Sequence, residues 1–181
     1  MPGPVFLAGD RIALRTIEEE DLDFLQEGIN DPSVWRAIGS SEPINGPQEQ
    51  EFFENVVCGD DEVTLLVAVD GAQAGTVGLS PRPDEADAAE LGYWLASEYR
   101  QQGYGREAAG LVTNYAFQQR GLHRVSARVF AFNDASQALL ESLGFVREGT
   151  NREAVFVDGQ YWDVYWYSVL ESEWDSEEYE H

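Results

Sequence analysis

Lysine is absent from this chain. All 11 of its basic residues are arginine, set against 34 aspartates and glutamates, for a formal net charge of −23. That imbalance works against nucleic-acid phosphates and anionic membrane surfaces as partners. Cysteine is nearly absent too, and a single Cys58 excludes an internal disulfide framework and a cysteine-rich metal site. The two histidines, His123 and His181, stand far apart, so no zinc site is expected. No run of about 18 apolar residues occurs, which argues against a membrane-spanning helix. The opening Met1-Pro2-Gly3-Pro4 lacks the basic and apolar regions of a secretory signal, so a cytoplasmic location is expected. No repeat or Pro/Ser-rich linker divides the chain, and 181 residues suit one domain.

What is present points to a folded protein. Hydrophobic residues make up 43% and aromatics 12%, too many for the charge to signal disorder. The acidity has two readings. It is a surface that attracts cationic substrates, or an adaptation to a salt-rich cytoplasm in which self-repulsion is screened. The even spread of the acids and the missing lysine favour the second, and the composition resembles proteins of extreme halophiles.

Residues 11–15 alternate, with Ile12 and Leu14 on one face, and predict a first strand. Thr16 before Ile17-Glu18-Glu19-Glu20-Asp21 predicts a capped helix start with acids in its first turn. Leu22, Leu25 and Ile29 continue that helix. Further helices are expected over 32–38 and 47–57, with a loop over 39–46 between them. Residues 63–69 and 73–79, joined by Asp70-Gly71, read as a hairpin. A proline-bearing loop over 80–87 precedes a strand over 88–95. A glycine-bearing turn over 98–105 leads into a helix over 106–120 and a strand over 123–130. A helix over 133–143 ends at Gly144. Residues 145–157 and 161–170 form a closing hairpin on Asp158-Gly159, and the acidic 171–181 is expected to fray. This order predicts an α+β fold with a mostly antiparallel central sheet flanked by helices. Its core covers about 9–174 of a single domain, with an acidic tail over 175–181.

The most informative segment is 91–110. A strand leads through Arg100-Gln101-Gln102-Gly103-Tyr104-Gly105 into a helix. Gly103 and Gly105 allow a tight turn and close approach of an anion. The first helix amides lack intrahelical partners and, with the helix dipole, make an anion site. Arg100 and Arg106 flank it. A purely structural glycine turn fits the same residues. Gly103-x-Gly105-x-x-Ala108 also fits a dinucleotide fingerprint, but several strands precede it and the next strand, 123–130, carries no acid.

Arg100-x-x-Gly103-x-Gly105 resembles the pyrophosphate loop of the GNAT superfamily of N-acetyltransferases. Asn133-Asp134-Ala135-Ser136, running on to Leu143-Gly144-Phe145, resembles that superfamily's helix after the splayed strands. Glu148-Gly149 and Val157-Asp158-Gly159-Gln160-Tyr161-Trp162-Asp163-Val164 resemble the closing hairpin of the ribosomal-protein alanine N-acetyltransferase branch. The resemblance covers roughly residues 11–174. It implies a sheet splayed at an acetyl-CoA site. Backbone of Tyr93, Trp94 and Leu95 would pair with the pantetheine arm. Amides of Gln101, Gln102, Gly103, Tyr104, Gly105 and Arg106 would hold the pyrophosphate, and Asn133 and Ser136 would lie near the thiol. Asn133 is equally a good helix N-cap.

Acyl transfer to an amine needs a proton acceptor and a donor to the developing oxyanion. Glu90, on the same strand face as Gly92, is the candidate base; a water relay and a merely solvated acid are the alternatives. Many superfamily members carry a tyrosine seven positions after the asparagine, where this chain has Leu140, so Ser136 or water would protonate the thiolate. Trp35, Arg36 and the 39–46 loop are the acceptor-site candidates, with Trp162 and Tyr165 in the hairpin. The aromatic run from Tyr161 to Tyr167 is assigned mainly to the core or to a homodimer interface. The acceptor expected is a primary amine: the N-terminus of a ribosomal or other protein, or a small polyamine, amino acid or antibiotic. A coenzyme A-binding module without turnover is the other class.

Overall fold

The computed structural model describes residues 3–179. His181, with Met1, Pro2 and Glu180, lies outside the described residues. Strands β1 (Val5–Ala8) and β2 (Ile12–Arg15) open the chain. Helices α1 (Leu22–Ile29), α2 (Pro32–Ile38) and α3 (Gly46–Phe52) follow, α3 running into a π turn over Phe53–Val57. Then come β3 (Val63–Val69), β4 (Ala72–Pro81), β5 (Ala88–Leu95), α4 (Tyr104–Gln118), β6 (Arg124–Phe130), α5 (Asp134–Ser142), β7 (Val146–Val157) and β8 (Gln160–Leu170).

Local chemistry explains most boundaries. Asp31 caps α2 by accepting from Ser33 N at 2.7 Å, with Pro32 pre-set in the first turn. Asn45 and Gln48 form a reciprocal capping box at the start of α3. The helix start expected at Thr16 falls later. A 3-10 turn over Glu19–Asp21 precedes α1, and Glu18 with Asp21 forms the box, because the Thr16 hydroxyl is spent on Glu18 Oε1 at 2.8 Å.

The strands form one sheet in the order β1-β2-β3-β4-β5-β6-β8-β7. Every neighbouring pair is antiparallel except β5–β6. That α+β architecture is the one the element order predicts. One sheet face buries Leu14, Val67, Val77, Leu91, Val125 and Val169 against α4, whose small Ala108 and Ala109 let the helix lie close to the strands. The other face packs Leu66 and the Trp94 indole against Leu25 and Phe24 of α1.

β5 and β6 pair for only three rungs: Ala88–Arg124, Ala89–Val125 and Glu90–Ser126. Beyond them β5 stays paired to β4 and β6 to β8, so the strands part and leave facing backbone edges in a wedge. The terminal segment does not fray as expected up to Tyr179. A 3-10 turn over Ser176–Tyr179 seats the Tyr179 ring in a notch at Gly110 of α4, stacked on Trp174 at 5.3 Å.

Candidate active site

At the mouth of the wedge β5 ends at Leu95, and a short turn leads into α4. Gln101 (φ 59°) and Gly103 (φ 86°) take left-handed conformations, and Gly103 is the N-cap, with no side chain capping the helix. The first amides of α4 therefore have no side-chain cap. A Cβ at Gly103 would sit 2.8 Å from Arg11 Nη2. Gly105 serves otherwise: its missing Cβ faces Leu139 and Leu95, so it allows close packing of α4 on α5 and β5.

The flanking arginines divide their roles. Arg100 turns inward, donating to Leu95 O at 2.7 Å and Ser33 O at 3.4 Å. Arg106 does not contribute an unmatched charge beside the loop. It pairs with Glu178 at 2.7 Å and also donates to Ser142 O, because the docked C-terminal turn brings a carboxylate to it. Glu178 is held below the ordinary carboxylate range by that hydrogen bond, and Arg106 is raised by it. Sequence reasoning missed Arg11. Its Nη1 donates to Gln102 O at 2.8 Å, Glu107 anchors it, and it lies 5.0 Å over the Tyr104 ring. Ninety-one positions separate Arg11 from Gln102, so no local signal announces the contact.

Along the wedge, β5 alternation turns Tyr93 toward α5 and Trp94 toward α1. The Trp94 indole fills the notch at Gly28, so Trp94 lies on the sheet face opposite Tyr93. The Tyr93 hydroxyl lies 2.6 Å from Ser136 Oγ. Burial is the main influence on this phenol and pushes it up to about 12; the Ser136 hydrogen bond pulls the other way. Asn133 caps α5, accepting from Ser136 N at 3.2 Å, and so fixes the turn that presents Ser136. Leu140 is fully buried in the main core, a packing position rather than a proton donor.

On the opposite face of the sheet, Glu90 stands beside exposed Gly92. Its carboxylate is paired at the surface: Arg128 Nε donates to Glu90 Oε1 at 2.5 Å, and Arg82 approaches Oε2 at 3.6 Å. Farther along this face, a cavity of about 640 Å³ brings together Asp31, Ser33, Arg36, Arg100, Phe132 and Asn133. It thus joins a predicted acceptor residue, Arg36, to two predicted cofactor residues. Asp31 there is held low chiefly by the Ser33 hydroxyl. Arg36 stacks on the Trp35 ring at 4.7 Å and bridges to Asp158 of the β7–β8 turn at 2.9 Å. Trp162 packs edge-on to Phe132. Tyr165 lies beneath Arg147 on the α4 side and joins the core, as does fully buried Tyr167, whereas Tyr161 is exposed. Among the described residues no cluster of His, Cys, Asp and Glu could hold a metal, and no helix is long and apolar enough to cross a membrane.

The acetyltransferase (GNAT) domain model matches residues 11–146, which span both the glycine loop and α5. The chain belongs to the GNAT acetyltransferase family. Within GNAT relatives, it is 34% identical over 178 residues to YdaF of Bacillus subtilis (strain 168), provisionally named a ribosomal N-acetyltransferase; 93% of this chain and 96% of that one are covered. It is 28% identical to the spermidine N(1)-acetyltransferase of Escherichia coli (strain K12), covering 83% and 81%. The crystal structure of spermidine N-acetyltransferase from Vibrio cholerae in complex with CoA and spermine superimposes with a TM-score of 0.84 at 25% identity, covering 91% and 98%. The GNAT assignment makes the protein an N-acetyltransferase of mixed, mostly antiparallel fold, as its motifs implied.

Proposed function

We propose that the protein transfers the acetyl group of acetyl-CoA directly to a primary amine held on the α1–α2 face of the wedge. The observation that carries this reading is the parting of β5 and β6 after Glu90–Ser126, directly in front of an uncapped helix N-terminus. The residues fit the cofactor on three counts. Gly103 is a left-handed N-cap (φ 86°) with no side chain capping α4, which leaves the first amides of the helix for an anion. From Tyr93 to Leu95, β5 has no β6 partner, so its wedge edge is open to an amide-bearing arm, with Leu95 O already taken by Arg100. Ser136 and Tyr93 put a hydroxyl pair on the wedge wall.

Acetyl-CoA supplies an activated thioester. The chain's own residues do the rest. Arg11, Arg100 and Gln102 hold the loop's shape, so its amides are oriented before anything binds. Ser136 Oγ donates to the leaving sulfur, and Tyr93, kept neutral by burial, fixes that hydroxyl's direction. Glu90 takes the amine's proton through a water, because both of its oxygens face arginines. Trp35, Arg36 and Trp162 border the acceptor side. Support for a protein N-terminus comes from the YdaF relationship, and support for a small amine from the spermidine enzymes. The acidic, lysine-free composition supports a salt-rich cytoplasm as the working environment.

The test is thioester consumption with a panel of amines in molar KCl. Turnover with any amine is the expected result. Tight acetyl-CoA binding without turnover would leave a coenzyme A-binding module in place of the enzyme.

A further inference from the structure

A second cavity, of about 570 Å³, lies on the acceptor face beneath the last β5–β6 rung. Arg82, Glu85, Arg124, Ser126, Glu148 and Trp166 line it. Glu90 and Arg128 stand at its edge, linked to Arg82 and to Trp166. Glu90 is two residues from Gly92, where the side chain is missing and nothing lies within 4 Å of an added Cβ. The cavity therefore adjoins the point where the strands part.

Its charge pattern is unusual for a chain of net charge −23. Arg82, Arg124 and Arg128 gather at one place, and each carboxylate there is already answered. Glu85 accepts from Arg82, Glu90 from Arg128, and Glu148 from Arg124 at 2.7 Å. The Trp166 ring is taken as well: the Arg82 guanidinium lies 4.5 Å over it and that of Arg128 5.7 Å. A polyamine needs uncompensated carboxylates or a free aromatic face for its second ammonium. Neither is on offer here. Arg128, held through Nε, keeps 57% of its side chain exposed, and an arginine fork matches a carboxylate.

We propose that this pocket selects acceptors whose reacting amine is joined to a carboxylate, and that it disfavours polyamines. This rests on the acetyltransferase reading above. The carboxylate comes from a small amino acid or from an acidic residue near a peptide's N-terminus, and the chemistry recognised is the same. Trp166 and Glu90 hold Arg82 and Arg128 in place. Arg128 meets the acceptor's anionic end while the amine points toward Gly92.

The experiment compares aminopentanoate, aminopentanol and diaminopentane, which share chain and amine and differ only at the far end. A peptide with glutamate at its second and third positions is set beside the same peptide with lysine there. kcat/KM should favour the anionic member of each set by about tenfold or more, chiefly through KM. A preference among the small amines alone would assign the pocket to free amino acids, and among the peptides alone to protein N-termini. Arg128→Gln should bring the ratio close to one, whatever its effect on absolute rate. Equal or better use of diaminopentane or the lysine peptide would overturn the proposal. Calorimetric binding to the CoA-loaded protein gives a readout independent of turnover. If no amine is acetylated, the enzyme reading fails, yet binding of aminopentanoate in preference to diaminopentane would still uphold the pocket, and the reverse order would still sink it.

Discussion

The hydroxyls of Tyr93 and Ser136 lie 2.6 Å apart, one on the strand that walls the wedge and the other in the first turn of α5. Leu140, one turn farther along α5, is sealed in the core, so this pair is the hydroxyl contact that β5 and α5 share. Removing the phenol by Tyr93→Phe should lower kcat by about tenfold while leaving the KM for acetyl-CoA within about twofold. Ser136→Ala should cost more. Steady-state kinetics on both variants checks this, and an unchanged kcat in Tyr93→Phe would reduce the pair to a packing contact.

The same phenol makes alkaline stability a readout. In the unfolded chain it titrates near its ordinary value of 10, whereas burial raises it to about 12 in the fold. The folded state therefore holds the proton more tightly. The contribution is fully present below pH 10 and is lost as pH rises toward about 12, on the order of 2–3 kcal/mol. Tyr167 and Tyr179 are shifted upward too and add in the same direction. Denaturant melts across that window should show a steep decline, made shallower by Tyr93→Phe.

Gly103 takes a φ of 86°, with Arg11 standing where a side chain would go. Gly103→Ala should weaken acetyl-CoA binding by about tenfold, since the residue must leave the left-handed region or push Arg11 off Gln102 O. Gly105→Glu should also weaken it, but through a displaced α4, and so with a lower melting temperature. Calorimetry and thermal melts on the two variants separate the effects. Wild-type affinity in Gly103→Ala would contradict the cradle.

Glu90→Gln should lower kcat and raise the KM for the acceptor, because it removes the proton acceptor and loosens Arg128 together. A fall in kcat that persists at saturating acceptor identifies the first effect. A rise in acceptor KM alone would assign Glu90 to holding arginines.

Self-repulsion at a net charge of −23 should make the fold salt-dependent. The melting temperature should rise by several degrees or more between dilute buffer and molar KCl. A curve flat in salt would count against the high-salt reading.

How much of this was legible from the chain alone depended on the range of each interaction. Strand 88–95 could be read to the residue, because a proline-bearing loop and a glycine turn bound it. β1 (Val5–Ala8) was missed: it lies at the sheet edge with little burial, so it carries no alternation to read. Helix α4 starts two residues before the expected Arg106, since Gly103 itself is the N-cap. The glycine loop, Asn133 and Ser136 announce themselves through local spacing. The Tyr93–Ser136 bond joins residues 43 positions apart, and the Arg128–Glu90 pair spans 38. Such pairs are created by sheet order and strand facing, which periodicity in one segment does not encode. The docking of Tyr179 was hidden for the same reason: an acidic tail looks soluble until the Gly110 notch is in view.

Three rungs between β5 and β6 are all that stitch the sheet into one piece, leaving β1–β5 on one side and β6, β8 and β7 on the other. A ligand whose amides pair along the wedge would supply the missing rungs. Ligand and fold are then thermodynamically linked, and a site filled at about a hundred times its dissociation constant adds about 2.7 kcal/mol to the native state. The melting temperature should accordingly climb with acetyl-CoA concentration.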